Sequence, residues 1–272
     1  MPPARAALYV TTPAMLAWTA HAVVAGPPPL AWATIVLAGY VALLLAGVLV
    51  LRLRVFVDAV VGGPRGARGV VLTFDDGPHP LWTPRVLQVL ADHGAVATFF
   101  VAGHKVDAHP HVVRAIIEAG HTVGLHSYRH DRLLPLRSER RVRDDLQRGA
   151  QAIARAVGDR PFLFRPPIGH TNPAIARVVD EMDLIVVGWS VAGRDGLASA
   201  RPAAVAARVR RGLRDGAIVL LHDSPETGDR EPAALRALPE ILEAAHAARL
   251  DVVPLSQFVE ASSPQPRMSA SP

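Results

Sequence analysis

The residues best suited to chemistry are an adjacent carboxylate pair, Asp75 and Asp76, and two histidines four residues apart, His126 and His130. The chain has no cysteine, so any metal must be held by His, Asp or Glu. A spacing of four lets one helical turn or a tight loop aim both imidazoles at one ion. Alone, each pair reads blandly: twelve histidines make chance pairs, and Asp-Gly-Pro is turn chemistry. Together they offer two imidazoles and a carboxylate. Three protein ligands leave a coordination position for water, which is the catalytic rather than the structural pattern. The other aspartate is then free to act as a base.

Three further polar residues stand beside apolar runs. His222 follows Ile218-Val219-Leu220-Leu221, Arg165 precedes a Pro-Pro turn, and Asp195 precedes Gly196. Each has a structural reading: a satisfied strand-end histidine, a surface arginine, a turn aspartate. A buried Arg165 would need a carboxylate partner. The other histidines, among them His79, His104 and His121, are read as structural or solvated.

The elements that must position these residues alternate. Short apolar strands are expected at 69–74, 97–102, 122–125, 162–164, 184–189, 217–221 and 251–254. Helices are expected at 83–93, 110–119, 138–157, 173–182, 202–214 and 232–249, with Pro starts, a Ser138 cap and closing glycines. Seven strands alternating with helices predict a parallel sheet, open or closed into a barrel. Asp75-Asp76, His126, Arg165, Asp195 and His222 all fall at or beyond the carboxyl ends of strands, where parallel α/β folds place active sites.

Half of the 272 residues are apolar, which supports a sizeable core. The net charge is +5, and Lys105 is the only lysine. No basic run is interleaved with aromatics, so nucleic-acid binding is not expected. Residues 30–51 carry no charge and are long enough to cross a bilayer; 6–26 is a weaker span, and Gly26-Pro27-Pro28-Pro29 breaks the chain between them. Two spans would put both ends on one side. Arg5, Arg52 and Arg54 would make that side cytoplasmic. A single span, or a cleaved first segment, would put the remainder outside. The expected organisation is a membrane segment over 1–57, a Gly/Pro/Arg linker over 58–68, a catalytic domain over 69–258 and a disordered tail over 259–272.

The series Thr73-Phe74-Asp75-Asp76-Gly77, His126-Ser127-x-x-His130, Arg165-Pro166-Pro167-x-Gly169, Asp195 and Leu220-Leu221-His222-Asp223 resembles the polysaccharide deacetylases, carbohydrate esterase family four, also called the NodB homology domain. The resemblance implies a distorted (β/α) barrel that hydrolyses an N-acyl group from an amino sugar. It implies Asp75 as base, Asp76, His126 and His130 as ligands of a divalent metal (zinc, with cobalt or nickel tolerated), and Arg165 as the group positioning Asp75. It further implies the Ile168 N–H as oxyanion donor, His222 as general acid with Asp195 as partner, and Leu220 as the wall receiving the acyl methyl. Many relatives carry an aromatic where this chain has Ile168 and a Trp where it has Gly196, which weighs toward a smaller or lipid-linked sugar. The expected setting is a bacterial cytoplasmic membrane and an acylated amino-sugar substrate. The alternatives are a deformylase or deacetylase of a polyprenyl-linked sugar at the cytoplasmic face, a membrane-anchored sugar-binding module without catalysis, and a non-sugar amidase.

Overall fold

The computed structural model describes residues 1–260. Two long helices open the chain, α1 (Pro3–Ala25) and α2 (Leu30–Leu49), and both are long and apolar enough to cross a membrane. They lie against each other but are otherwise uncovered: no residue of α1 and only Gly47 of α2 is buried. A globular hairpin would bury these faces.

The remainder alternates strand and helix as β1 (Ala59–Val60), β2 (Val70–Asp75), α3 (Trp82–Asp92), β3 (Ala97–Val101), α4 (Gly103–Ala108), α5 (Pro110–Glu118), β4 (Thr122–Leu125), α6 (Glu139–Val157), β5 (Leu163–Phe164) and α7 (Pro173–Glu181). It continues as β6 (Ile185–Val187), β7 (Val191–Ala192), α8 (Pro202–Gly212), β8 (Ala217–His222), α9 (Ala233–Ala247) and α10 (Ser256–Glu260). The helix starts follow their capping chemistry. Ser138 Oγ accepts from the Arg141 N–H before α6, and Asn172 Oδ1 accepts from the Ile175 N–H before α7, with Pro173 in the first turn.

All strand pairs are parallel, in the order β1-β6-β5-β4-β3-β2-β8-β7. The sheet curls into the expected distorted barrel with helices outside. The pleat separates two apolar clusters. Val70, Leu72, Phe74, Phe99 and Val219 face the helices. Val71, Phe100, Leu163, Val187 and Ile218 face inward, where Leu255 and Phe258 close the N-terminal end.

Several expectations change. Among the described residues the sheet has eight strands, not seven, because β1 and β7 are two-residue strands that no periodicity window detects. The segment 58–68, expected as a linker, contains β1. Leu51, Val55, Val57 and Ala59 are buried, so the barrel's packing begins directly after α2. The expected strand at 251–254 reduces to a single bridge, Val70 to Val252, as Pro254 ends it. Helix α4 was not expected. Of the expected tail 259–272, Val259 and Glu260 complete α10; the rest lies outside the described residues.

Candidate active site

Strands β2 and β8 pair so that Val71 lies beside Ile218, Thr73 beside Leu220 and Asp75 beside His222. One inward row therefore turns from apolar at its N-terminal end to ionisable at its C-terminal end. Neighbouring strands add to the same rim. His126 is the first residue past β4 and donates its N–H to Val101 C=O, while Arg165 is the first past β5 and donates to Leu125 C=O.

Arg165 is fully buried. Its Nη1 donates to Asp75 Oδ1 at 2.7 Å and to Thr73 Oγ at 2.8 Å, its Nη2 to Gly188 C=O at 2.9 Å and its Nε to Val187 C=O at 3.2 Å. The guanidinium carbon lies 4.2 Å from the Phe100 ring centroid. A buried cation with this many acceptors fixes Asp75 in one place. Burial raises the Asp75 carboxyl above its ordinary range, against the opposing pull of Arg165 and His222.

Asp76, His126 and His130 bring one carboxylate oxygen and two ring nitrogens within 4.8 Å of one another. Asp76 Oδ1 lies 3.1 Å from His130 Nε2 and 3.5 Å from His126 Nε2. Two ligands of one tetrahedral ion stand about 3.4 Å apart, given metal–ligand bonds of about 2.1 Å. Both Nδ1 atoms face acceptors: His126 donates to Arg165 C=O at 2.7 Å and His130 to a Glu226 carboxylate oxygen at 3.2 Å. That pairing fixes the tautomers and leaves both Nε2 lone pairs free for a metal. Burial, then the neighbouring His130 ring, pushes His126 down to about 3, so its imidazole is neutral, as a ligand must be. Asp76 Oδ1 is buried and has no hydrogen-bond partner among the described residues. Such an atom costs free energy unless a cation or water satisfies it, so these residues fit a divalent metal.

His222 presents Nδ1 to Asp195 Oδ1 at 3.1 Å, and Asp195 Oδ2 accepts the His222 backbone N–H at 2.7 Å. Burial disfavours the charged ring. The Asp195 carboxylate, helped by Asp76 and Asp75, outweighs it and pushes His222 up to about 10. Gly196 lies against the ring: a Cβ there would stand 3.3 Å from His222 Cε1.

Ile168 belongs to the loop after β5 and takes φ 50°, a left-handed conformation unfavourable for a β-branched residue. Its side chain is exposed, and it stands three residues past Arg165. Asp76, Ser127, His130 and Arg194 also have positive φ, all in loops beyond the carboxyl ends of strands. Backbone strain of this kind collects at functional sites. Leu220 is half-buried and points to the same face as His222.

Two contributors, Glu226 and Lys105, escaped the sequence reading, and Asp223 stood in a quoted motif without a role. Glu226 orients His130 and also pairs with Arg132. The Lys105 ammonium donates to Asp76 C=O, Ser224 Oγ and Pro225 C=O, tying the Asp76 backbone to the loop after β8. Asp223 is fully buried, accepts from Thr83 Oγ at 2.5 Å and is pushed up to about 7 by burial. It lies so close to Gly77 that a Cβ there would overlap its carboxylate. Glu226 follows His222 closely in sequence, the only signal available for it. Two of the histidines read as structural make local backbone bonds: His79 Nδ1 accepts from the Leu81 and Trp82 N–H groups at the start of α3, and His121 Nδ1 accepts from the Ala97 N–H.

Comparison with known proteins agrees with this geometry. The family model described as polysaccharide deacetylase matches residues 62–187. A peptidoglycan-N-acetylglucosamine deacetylase of Bacillus cereus is 34% identical over 181 residues, 65% of this chain and 84% of that protein. A chitooligosaccharide deacetylase of a Bradyrhizobium strain is 34% identical over 208 residues, 72% of this chain and 93% of that protein. Among solved structures, a family 4 carbohydrate esterase from Streptomyces lividans, in complex with acetate, is similar with a TM-score of 0.63 and 34% identity, over 71% of this chain and 95% of that one. On sequence and fold alike, the chain belongs to the polysaccharide deacetylase family, the family 4 carbohydrate esterases.

Proposed function

We propose that the chain is a metal-dependent hydrolase that removes N-acetyl groups from amino sugars of a glycan or glycoconjugate. The observation that carries this reading is the convergence of three donors, Asp76, His126 and His130, beside an Arg165-anchored Asp75 and opposite His222. A divalent cation bound by the three donors supplies a polarised carbonyl and a water of lowered pKa. The two-imidazole, one-carboxylate set suits zinc, with cobalt and nickel as substitutes.

The chain's own residues do the rest. Asp75 accepts the proton of the attacking water, and Arg165 holds its carboxylate toward the metal side. The Ile168 N–H donates to the carbonyl oxygen as charge develops there. An amine leaves poorly until it is protonated, and His222, kept cationic by Asp195, delivers that proton. Leu220 lines the space for the acyl methyl. The C–N bond breaks as the C–O bond to water forms, giving acetate and a free amino sugar.

The uncovered apolar faces of α1 and α2 support two membrane spans, with the barrel on the side of Arg5, Arg52 and Arg54. By the positive-inside tendency that side is cytoplasmic in a bacterial inner membrane. Protease access in sealed vesicles of known orientation tests the sidedness. For the chemistry, acetate release from an acetylated chito-oligosaccharide by the zinc-loaded full chain is expected, and loss of that release in Asp75→Asn with zinc still bound. Unchanged release in Asp75→Asn would refute the base assignment.

A further inference from the structure

Outside the membrane hairpin and its exit, seven large apolar side chains are exposed among the described residues. Two of them, Ile117 and Phe162, are scattered. The other five, Leu81, Leu133, Leu136, Ile168 and Leu197, lie on loops beyond the carboxyl ends of β2, β4, β5 and β7. They therefore ring the end of the barrel that holds the active site. Single exposed leucines need no explanation, but five gathered at one end do.

A chain of hydrogen bonds joins this rim to the membrane hairpin. The Thr171 N–H donates to Val48 C=O at 3.0 Å, and Val48 lies in the last turn of α2. The next residue, Asn172, donates its side-chain N–H to Pro135 C=O at 2.7 Å, within the turn that carries Leu133 and Leu136. Leu51, just past α2, packs so closely that a Cβ on Gly188 would stand 3.0 Å from it, and Gly188 C=O is itself an Arg165 acceptor. The joint between hairpin and barrel is thus packed and bonded rather than a loose tether. The loop of Ile168 must sit at the depth where α2 leaves the bilayer. The exposed Arg129 and Arg194 stand on the same loops, where cations meet anionic head groups.

We infer that the catalytic rim rests on the bilayer surface and that the substrate is an N-acetylated amino sugar carried on a membrane lipid. The leucines enter the interface, and the sugar of a lipid-borne substrate, held at head-group depth, reaches the metal site without leaving the membrane. A soluble polymer approaching from the bulk would find this face covered. The inference rests on the deacetylase reading above.

The test uses the full chain, zinc-loaded, in vesicles containing anionic phospholipid. Acetate release is compared for one acetylated chito-oligosaccharide supplied free and attached to a lipid tail. The lipid-borne form should show kcat/KM higher by about a hundredfold, and Leu133→Asp with Leu136→Asp should remove about that factor while leaving the free substrate's rate unchanged, since each of the two leucines contributes about a decade in binding. Equal kcat/KM for the two forms, or an equal loss on both in the variant, would overturn the inference. A second readout does not depend on turnover. Leu136→Trp should add fluorescence that lipids brominated near the head group quench; an unquenched Trp would likewise overturn it. No turnover of either form would sink the deacetylase reading, and the quenching would still decide whether the rim meets the bilayer.

Discussion

The two ends of the barrel interior share strands and differ in everything else. At the N-terminal end, Val71 and Ile218 pack with Leu255 and Phe258, and Leu163, Val187 and Phe100 continue that apolar cluster up to the Arg165 layer. Two to four residues further along β2 and β8, the inward positions hold Thr73, Asp75 and His222, with Arg165 beside them. The first end is stabilised by area removed from water. The second gathers buried charge, an unpartnered Asp76 oxygen and positive-φ residues. The contrast teaches that the apolar half provides the rigidity that lets the polar half hold side chains in a costly arrangement.

If that division is right, substitutions at the two ends should fail differently. At the polar end the largest effect is expected from Asp75→Asn. Loss of a general base costs about 10²–10⁴ in turnover, and zinc should still bind. Acetate release and zinc content measured on one sample check both halves. Arg165→Ala should cost about 3–5 kcal/mol in stability as well as activity, because it strips a buried carboxylate of its partner. Denaturant midpoints measure it. At the apolar end, Phe258→Ala should cost a similar 3–5 kcal/mol or so through the cavity it leaves, yet turnover per folded molecule should stay near wild type. A large drop in kcat with no loss of stability would break the comparison.

The pH dependence sharpens it. His222 is raised from about 6.5 to about 10, so its contribution to stability is fully present below its unfolded value and is lost as pH rises through about 10. Turnover should fall over the same upper window as the acid loses its proton. His222→Gln should be nearly inactive and should lack that alkaline loss of stability. A wild-type stability curve that is flat between pH 7 and 11 would contradict the Asp195–His222 pairing. A smaller effect is expected from Glu226→Gln: metal affinity weaker by about 10–100-fold, with the fold intact, as for an outer partner of a ligating histidine. Zinc competition with a chromogenic chelator measures it.

Much of this contrast was legible in the sequence. The alternating strand and helix patterns, and the placing of Asp75, His126, Arg165 and His222 at strand ends, sufficed for the barrel and its rim. The start of the barrel's packing at residues 51–60 was hard to read because the uncharged run of α2 leads into it without a break. Yet Val55, Val57 and Ala59 alternate with Arg54, Phe56 and Asp58, and that period of two was the available clue. Glu226 and Lys105 were not legible. Each acts through contacts between segments distant in sequence, 96 residues apart for His130 and Glu226 and 119 for Lys105 and Ser224. The apolar surface of that rim was invisible for the same reason, since its four leucines and Ile168, spread over four loops, meet only once the strands are aligned.

The most direct test of the metal site is a zinc titration of the chelator-treated full chain, with acetate release followed at each addition. Release should be absent at the start, rise in proportion to added zinc and level off at one ion per chain, and His126→Ala should show neither binding nor release. Undiminished release from the metal-free chain, or wild-type zinc affinity in His126→Ala, would contradict the assignment of Asp76, His126 and His130.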